Sequence, residues 1–260
     1  MQDNRYRTVI ILGMHRTGTS MTAGVLQKLG INMGEDLKEK RPPNPLGYYE
    51  NVEFIDLNNK ILKEAGGDWR NPPAEEKILK QQEKFEDDIK KLIKRHKDES
   101  WGWKDPRNSL TIKLYTPYID NPYFIVCHRK EQAIARSLYD REGINRDKSI
   151  RLKKIYEDRI NKFFKENDYS RLDIYYEDVL DQSRKNLERI IDFLKLNPQK
   201  RQKKEAENFI MPKKEIKKLS FKLRIKNWVK KATKNPHKLP LYVFNKLKLL
   251  YKEIFKRGDR

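Results

Sequence analysis

The chain has 260 residues, 37% of them apolar, which is enough for one large domain with a buried core. No apolar stretch approaches the roughly 20 residues that a membrane-spanning helix needs, so we expect neither membrane insertion nor secretion. The single cysteine, Cys127, excludes an intrachain disulfide and a cysteine-rich zinc site, which favours a cytoplasmic location.

The net charge of +21 is unevenly distributed along the chain. Residues 212–260 hold 17 Lys and Arg against 3 Asp and Glu, so this segment alone carries +14. A basic surface attracts nucleic acid, anionic lipid or an acidic polymer, but it indicates no particular activity. We therefore expect a folded domain over residues 1–211 and a separate basic tail over residues 212–260.

The first half of the chain begins with a strand, a loop and a helix. The apolar run TVIIL at residues 8–12 predicts a buried strand that stops at Gly13, and helical spacing of apolar residues starts at about Thr19. Residues 32–50, rich in proline, glycine and asparagine, predict a long connection, and loops of that length tend to be functional. The helices predicted after this connection lie at about 51–64 and 75–96.

The second half repeats the alternation of strand and helix. The runs YFIVC at 123–127 and LDIYY at 172–176 predict two further strands. The helices predicted around them lie at about 131–139, 149–166 and 183–194. This alternation predicts an α/β protein with a P-loop-like three-layer fold, in which helices flank a central, mainly parallel sheet.

The tail carries its apolar residues on one face of a predicted helix, among lysines. These residues are Leu239, Val243, Phe244, Leu247, Leu250, Tyr251 and Ile254. The pattern predicts a basic amphipathic helical segment. Two interpretations stay open: a solvated charged face over apolar residues packed on the domain, or a contact with an anionic membrane surface or an acidic polymer.

Residues 13–20, GMHRTGTS, lie between a predicted strand and helix, where backbone N–H groups and the positive helix end can surround a phosphate. Their spacing resembles G-x-x-x-x-G-K-[ST], except that a threonine replaces the lysine that triphosphate-binding enzymes place on the β- and γ-phosphates. We expect a less charged ligand, although a turn that binds nothing is the open alternative. The candidate binding residues of the loop are Arg16, Thr17, Gly18, Thr19 and Ser20.

A second candidate anion site follows the strand at 123–127. Arg129 comes directly after that strand, and Ser137 lies eight positions further along the predicted helix. Both side chains can face one phosphate. The order of the elements places this site after a strand equivalent to the one that leads to the loop at 13–20, which favours binding over surface decoration.

These two sites resemble those of the sulfotransferases that use 3′-phosphoadenosine 5′-phosphosulfate (PAPS), especially bacterial-type members with the loop G-x-H-R-S-G-T-S. In that family the loop holds the 5′-phosphosulfate without a metal, and an arginine and a serine spaced like Arg129 and Ser137 hold the 3′-phosphate. The resemblance extends to Tyr-Glu-Asp at 176–178 and Lys-Asp-Pro-Arg at 104–107, and covers about residues 8–196. It implies that the two sites bind opposite ends of one adenylate.

The resemblance also implies the reaction and its residues. It implies transfer of a sulfuryl group from PAPS to an acceptor hydroxyl, with 3′,5′-adenosine bisphosphate as the product. Lys104 is the candidate for stabilising charge on the transferred group, and Glu50 is similar in order to a glutamate that deprotonates the acceptor. His15 and Asp105 are reserve candidates for the base. Pro106 occupies the position where the cytosolic small-molecule enzymes carry their catalytic histidine.

The acceptor and the partners are expectations by analogy. We expect a hydroxyl of a carbohydrate, glycan or glycolipid, with the basic tail holding the chain at an anionic inner membrane face. Two other functions stay open. A P-loop kinase-like phosphotransferase is disfavoured by the missing loop lysine, and a basic nucleic-acid-binding protein is disfavoured because most of the excess charge lies in the tail and no recognised nucleic-acid motif is present.

Overall fold

The computed structural model describes residues 6–39, 44, 46–95, 100–210, 221 and 225. The chain divides into two compact units. One unit comprises Met1–Lys38 and Tyr48–Ile210, and the other comprises Glu39–Gly47 and Met211–Arg260. The basic tail predicted at 212–260 lies outside the described residues, except for Phe221 and Ile225.

In the described part of the chain, the first unit is built on a four-stranded parallel sheet with the strand order β2-β1-β3-β4. The strands are β1 (Thr8–Leu12), β2 (Trp101–Lys104), β3 (Pro122–His128) and β4 (Arg171–Tyr175). The parallel pairing confirms the predicted α/β class with a central sheet flanked by helices. The predictions for β1, β3 and β4 are correct to within one residue at each end, whereas β2 was not predicted.

Helices connect the strands and cover both faces of the sheet. Their bounds are α1 (Thr19–Lys28), α2 (Val52–Glu64), α3 (Glu75–Leu79), α4 (Gln82–Lys94), α5 (Asn108–Tyr115), α6 (Glu131–Glu142), α7 (Arg146–Glu166), α8 (Tyr176–Asp181), α9 (Ser183–Phe193) and α10 (Lys200–Phe209), with a 3₁₀ turn at Thr116–Tyr118. Within the described ranges, no helix has the length and apolar character needed to cross a membrane.

The prediction of one helix over 75–96 was wrong, because the segment forms α3 and α4 with a break at Lys80 and Gln81. Both residues keep dihedral angles in the right-handed helical region, with φ of −62° and −85°. No glycine or proline marks the break, so the apolar spacing continues across it. The sequence carries no local signal for this break.

The core consists of one apolar cluster on each face of the sheet. Along β1, the side chains of Ile10 and Leu12 belong to one cluster, and those of Val9 and Ile11 belong to the other. All four are fully buried. Successive side chains of a strand point to opposite faces, so an uninterrupted apolar run is what a strand covered on both faces requires.

The parallel register brings the carboxyl ends of the strands to one edge of the sheet. The last residue of β2, Lys104, pairs with Ile11, and Val126 of β3 pairs with Leu12. The loop at 13–20 and Arg129 therefore leave the sheet on the same side. Ligands of open α/β sheets bind at this edge, where the chain crosses over to strands on either side of the first one.

Candidate functional site

The loop at 13–20 depends on two glycines with positive φ. Gly13 has φ of 140°, and a Cβ there would lie 2.7 Å from the carbonyl oxygen of Cys127 on β3. Gly18 has φ of 102° and precedes α1 with no side-chain cap. The first N–H groups of a helix have no partner within the helix, so they remain available to an anion. Both glycines are needed because other residues rarely adopt these dihedral angles.

Two hydroxyl groups fix the shape of the loop. The Thr17 hydroxyl donates to the Met14 carbonyl at 2.7 Å, and the Gly13 N–H donates to Ser109 Oγ of α5 at 2.9 Å. Thr17, predicted as a binding residue, is buried and uses its hydroxyl proton inside the loop. Its hydroxyl therefore stabilises the loop, and Ser109 links the loop to the helix that follows β2.

Arg16 lies at the centre of the site in a left-handed conformation with φ of 75°. Its Nε donates to Ser137 Oγ at 2.8 Å, and Arg129 Nη1 donates to the Arg16 carbonyl at 2.9 Å. The Arg129 guanidinium lies 4.2 Å from the centre of the Tyr176 ring, which also packs against Gly18. The structure thus brings together Arg16, Arg129 and Ser137, which the sequence placed in two sites.

The arginines of this cluster have few counter-ions. Burial, and then the charges of Arg141 and Arg129, lower the pKa of Arg16 to about 10. Within the described residues no carboxylate pairs with Arg16 or Arg141, and the only one near Arg129 is Glu177, 4.0 Å from its Nε. Arg129 Nε and Arg141 Nη1 are buried without a hydrogen-bond partner in the described part of the chain. Such a cluster favours an anionic ligand.

Glu50 and Lys104 form a buried ion pair beside the loop. Lys104 Nζ lies 2.5 Å from Glu50 Oε1 and also donates to the Tyr48 carbonyl at 3.2 Å. Lys38 approaches the other carboxylate oxygen at 3.4 Å. Burial raises the pKa of Glu50, but the charge and hydrogen bond of Lys104 outweigh it, so the pKa lies below its usual value. Glu50 is therefore ionised at neutral pH.

His15 is held neutral against an aromatic pair. Its ring centroid lies 4.1 Å from that of Trp69 and 6.3 Å from that of Tyr156. Burial, and then the charges of Arg107 and Lys104, hold the pKa of His15 well below its usual value. Its Nε2 is buried and has no hydrogen-bond partner among the described residues. A neutral imidazole nitrogen of this kind can accept or donate a hydrogen bond to a bound ligand.

Asp105, the other reserve candidate for the base, is fully buried in a hydrogen-bond network. Its Oδ1 accepts from the backbone N–H and Nη1 of Arg107, and its Oδ2 accepts from Asn58 Nδ2. The oxygen of the Asn58 amide in turn accepts from the hydroxyls of Thr111 and Tyr115. Asp105 thus connects β2, α2 and α5, and both of its oxygens are already hydrogen-bonded.

Sequence reasoning missed Tyr48 and Arg141. Arg141 Nη2 donates to the Tyr48 hydroxyl at 3.0 Å, and Lys38 lies over the Tyr48 ring at 4.7 Å. Arg141 follows Ser137 by four positions, so one helical turn places both on the same face of α6. That spacing was visible in the sequence and could have identified Arg141 as a residue of the site.

Among the described residues, no group of three or more His, Cys, Asp or Glu side chains is arranged to hold a metal ion.

Comparison with known proteins gives a match to a family model. Residues 8–200 match the model described as the sulfotransferase family. No curated protein sequence shows significant similarity to the chain.

Two solved structures are similar to this chain at low identity. One is a sulfotransferase domain from the Synechococcus PCC 7002 olefin synthase, with 17% identity, a TM-score of 0.48 and coverage of 77% of each chain. The other is the sulfotransferase STF9 from Mycobacterium avium, with 16% identity and a TM-score of 0.45. That match covers 79% of this chain and 68% of the other.

Proposed function

This chain belongs to the sulfotransferase family, and from that premise we propose that it transfers a sulfuryl group from PAPS to an acceptor hydroxyl, on a carbohydrate or glycan. The observation that carries the proposal is the direct contact of Arg16, Arg129 and Ser137 at the carboxyl edge of a parallel sheet. Two anionic ends of one adenylate need two cationic groups at one sheet edge, and this cluster supplies them.

The donor would be held by the loop and by the cluster of arginines. We assign its 5′-phosphosulfate to Arg16, to Gly18, Thr19 and Ser20, and to the free N–H groups of the α1 start, with Thr17 maintaining the loop. Arg129 and Ser137 take the 3′-phosphate. Arg129 Nε fits this role because it is buried without a hydrogen-bond partner among the described residues, and a phosphate oxygen would supply one. Arg16 and its arginine neighbours also repel one another less when an anion lies among them.

Glu50 is the proposed general base. It is buried, ionised and within 2.5 Å of Lys104, which we assign to the charge that develops on the transferred group. When bound, PAPS supplies a sulfuryl group whose bond to the bridging oxygen breaks while the acceptor oxygen bonds to sulfur. The proton of the acceptor hydroxyl moves to a Glu50 carboxylate oxygen. The anionic donor offsets the field of the lysines, which raises the proton affinity of Glu50 at the time it is needed.

His15 has a supporting role in this proposal. Its low pKa keeps the ring neutral, and Nε2, which has no hydrogen-bond partner among the described residues, can hydrogen-bond the reacting groups. We propose further that the chain works in the cytoplasm and that the basic tail at 212–260 binds an anionic membrane surface. Vesicles that contain anionic lipid would bind the full chain at low salt and release it at high salt if that role is correct.

Nucleotide selectivity separates this function from its alternatives. We expect calorimetry to give tight binding of 3′,5′-adenosine bisphosphate and at least tenfold weaker binding of ATP, because the loop lacks a lysine for a triphosphate. Preference for ATP with Mg²⁺ would instead support a phosphotransferase. A strongly salt-dependent affinity for DNA or RNA without nucleotide selectivity would support a nucleic-acid-binding protein.

The role of Glu50 is tested by transfer to a panel of glycans and small alcohols, read as the mass increase of the acceptor. Glu50→Gln should lower kcat by about 10²–10⁴-fold, because general base catalysis contributes that much. Glu53→Gln is the matched control, since that carboxylate pairs with Arg95 at the surface. His15→Ala should lower kcat less than Glu50→Gln. Unchanged turnover of Glu50→Gln would remove this residue from the mechanism.

A further inference from the structure

Arg141 is a cation of the site to which the proposed reaction assigns no role. It lies near the end of α6, one turn after Ser137. Its single hydrogen bond within the described residues goes from Nη2 to the Tyr48 hydroxyl, and its guanidinium lies 6.0 Å from the centre of the Tyr48 ring. Tyr48 is a neutral partner, so this contact leaves the charge of Arg141 without a counter-ion.

One donor of Arg141 has no partner among the described residues, which indicates a ligand. Nη1 is buried and has no hydrogen-bond partner in the described part of the chain. The neighbouring carboxylate, Glu142, is not available because it pairs with Arg70 at 2.5 Å. A buried donor without a partner is unfavourable, and more so when the group is charged. An anionic oxygen at this position would satisfy both the donor and the charge.

The contacts of Arg141 connect it to the segment that carries Glu50, although it lies one helical turn from Ser137 and its charge also acts on Arg16. Its hydroxyl partner, Tyr48, belongs to the segment that carries Glu50, and the Tyr48 carbonyl accepts from Lys104. The acceptor hydroxyl must lie against Glu50 to lose its proton. A group bound by Arg141 next to Tyr48 therefore lies beside the pair of Glu50 and Lys104, where the acceptor hydroxyl must be placed, whereas Arg129 and Ser137 contact Arg16.

We propose that Arg141 binds an anionic group of the acceptor, a carboxylate, sulfate ester or phosphate ester, and so selects an acidic glycan over a neutral one. This inference rests on the proposed function, since it names the acceptor class of the same site. Arg141 acts here as a specificity-determining residue. The planar guanidinium suits all three oxyanions because it presents paired N–H donors in a fixed geometry.

The test uses the full chain and oligosaccharides in matched pairs. Each pair joins a uronic acid, a sulfate ester or a phosphate ester to the same oligosaccharide without that charge. The wild type should show kcat/KM at least tenfold higher for the charged member of one or more pairs. Arg141→Gln should abolish the preference by raising KM for the charged member. Arg136→Gln, an exposed arginine on the same helix, is the control and should keep the preference.

The outcomes separate this inference from the proposed function. Binding of 3′,5′-adenosine bisphosphate is measured for each variant by calorimetry, and Arg141→Gln should leave it within about twofold of the wild type. A wild type that prefers neutral members, or a preference that survives Arg141→Gln, overturns the inference while sulfuryl transfer stands. A loss of bisphosphate affinity in Arg141→Gln also overturns it, because Arg141 would then belong to the donor site. A wild type without affinity for the bisphosphate refutes the proposed function itself.

Discussion

The buried ion pair between Glu50 and Lys104 makes a stability prediction that does not depend on turnover. The lysine side chain is 2% exposed and that of the glutamate is 7% exposed, with 2.5 Å between the charged atoms. Glu50→Gln keeps the shape of the side chain but removes its charge. Lys104 then stays buried with a neutral amide and the Tyr48 carbonyl, which already accepts from it at 3.2 Å.

The magnitude follows from this geometry. Removing one partner of a buried ion pair costs about 3–5 kcal/mol, because the remaining charge has no counter-ion. The Tyr48 carbonyl and the new amide oxygen still accept from Lys104, so we expect the lower end, about 3 kcal/mol. The loss of the Lys38 contact adds at most about 1 kcal/mol because that lysine is 36% exposed. At this chain length, 3 kcal/mol corresponds to a fall in Tm of about 6–12 °C.

Urea unfolding of four proteins measures the pair itself: wild type, Glu50→Gln, Lys104→Met and the double variant. The double variant should lose less stability than the sum of the two single variants, because it leaves neither charge alone. If the stability loss of the double variant equals the sum of the two single losses within about 0.5 kcal/mol, the reasoning is refuted. This result would mean that the two groups contribute independently and that the ion pair does not neutralise Lys104.

The pH dependence gives a second readout of the same pair. The pKa of Glu50 is lower in the folded chain than its usual value of 4.5, since Lys104 outweighs the effect of burial. The unfolded chain therefore binds the proton first as the pH falls. The stabilisation from Glu50 is present in full above about pH 4.5 and is lost as the pH falls through the folded pKa. The difference in stability between wild type and Glu50→Gln should shrink over that range.

Two further predictions concern the loop at 13–20. Gly18→Ala should cost about 2 kcal/mol and weaken 3′,5′-adenosine bisphosphate binding, because φ is 102° and the new Cβ would lie 2.7 Å from the Tyr176 ring. Gly66→Ala is its control, with φ of 87° and open space around the Cβ, so it should cost less and leave binding unchanged. Ser109→Ala should cost about 1–3 kcal/mol in urea unfolding, because the buried Gly13 N–H loses its acceptor, and unchanged stability would contradict this.

The sequence predicted the elements whose signals are local. The run at 8–12 is apolar throughout and ends at Gly13, so the strand and the following turn were both visible. The strand at 101–104 was missed because it has only four residues and ends in a lysine. The charge of this lysine, Lys104, is tolerated in the interior because Glu50 neutralises it, and Glu50 lies 54 positions earlier. A contact between residues so far apart in the chain leaves no periodic pattern in the sequence.

The candidate site shows the same division. Arg16 was assigned to one anion site and the pair of Arg129 and Ser137 to another, but the hydrogen bonds between these two sites were not predicted, because they depend on the pairing of β1 with β3. Glu50 and Lys104 were likewise named separately, and their mutual ion pair follows from packing. The sequence indicates which functional side chains are present, and the register of the strands determines which of these side chains contact each other.

The positive charge around Arg16 bears on the order in which donor and acceptor react. Arg16 is held in a left-handed conformation, and its pKa is lowered to about 10 by burial and by two neighbouring arginines. The carbonyl of Arg16 accepts a hydrogen bond from Arg129, which stabilises this conformation. In the proposed function, an anionic donor would reduce the repulsion between Arg16 and Arg129 and would offset the positive charge of the lysines near Glu50. The pKa of Glu50 would then rise only after the donor is bound, so we expect donor binding to precede deprotonation of the acceptor.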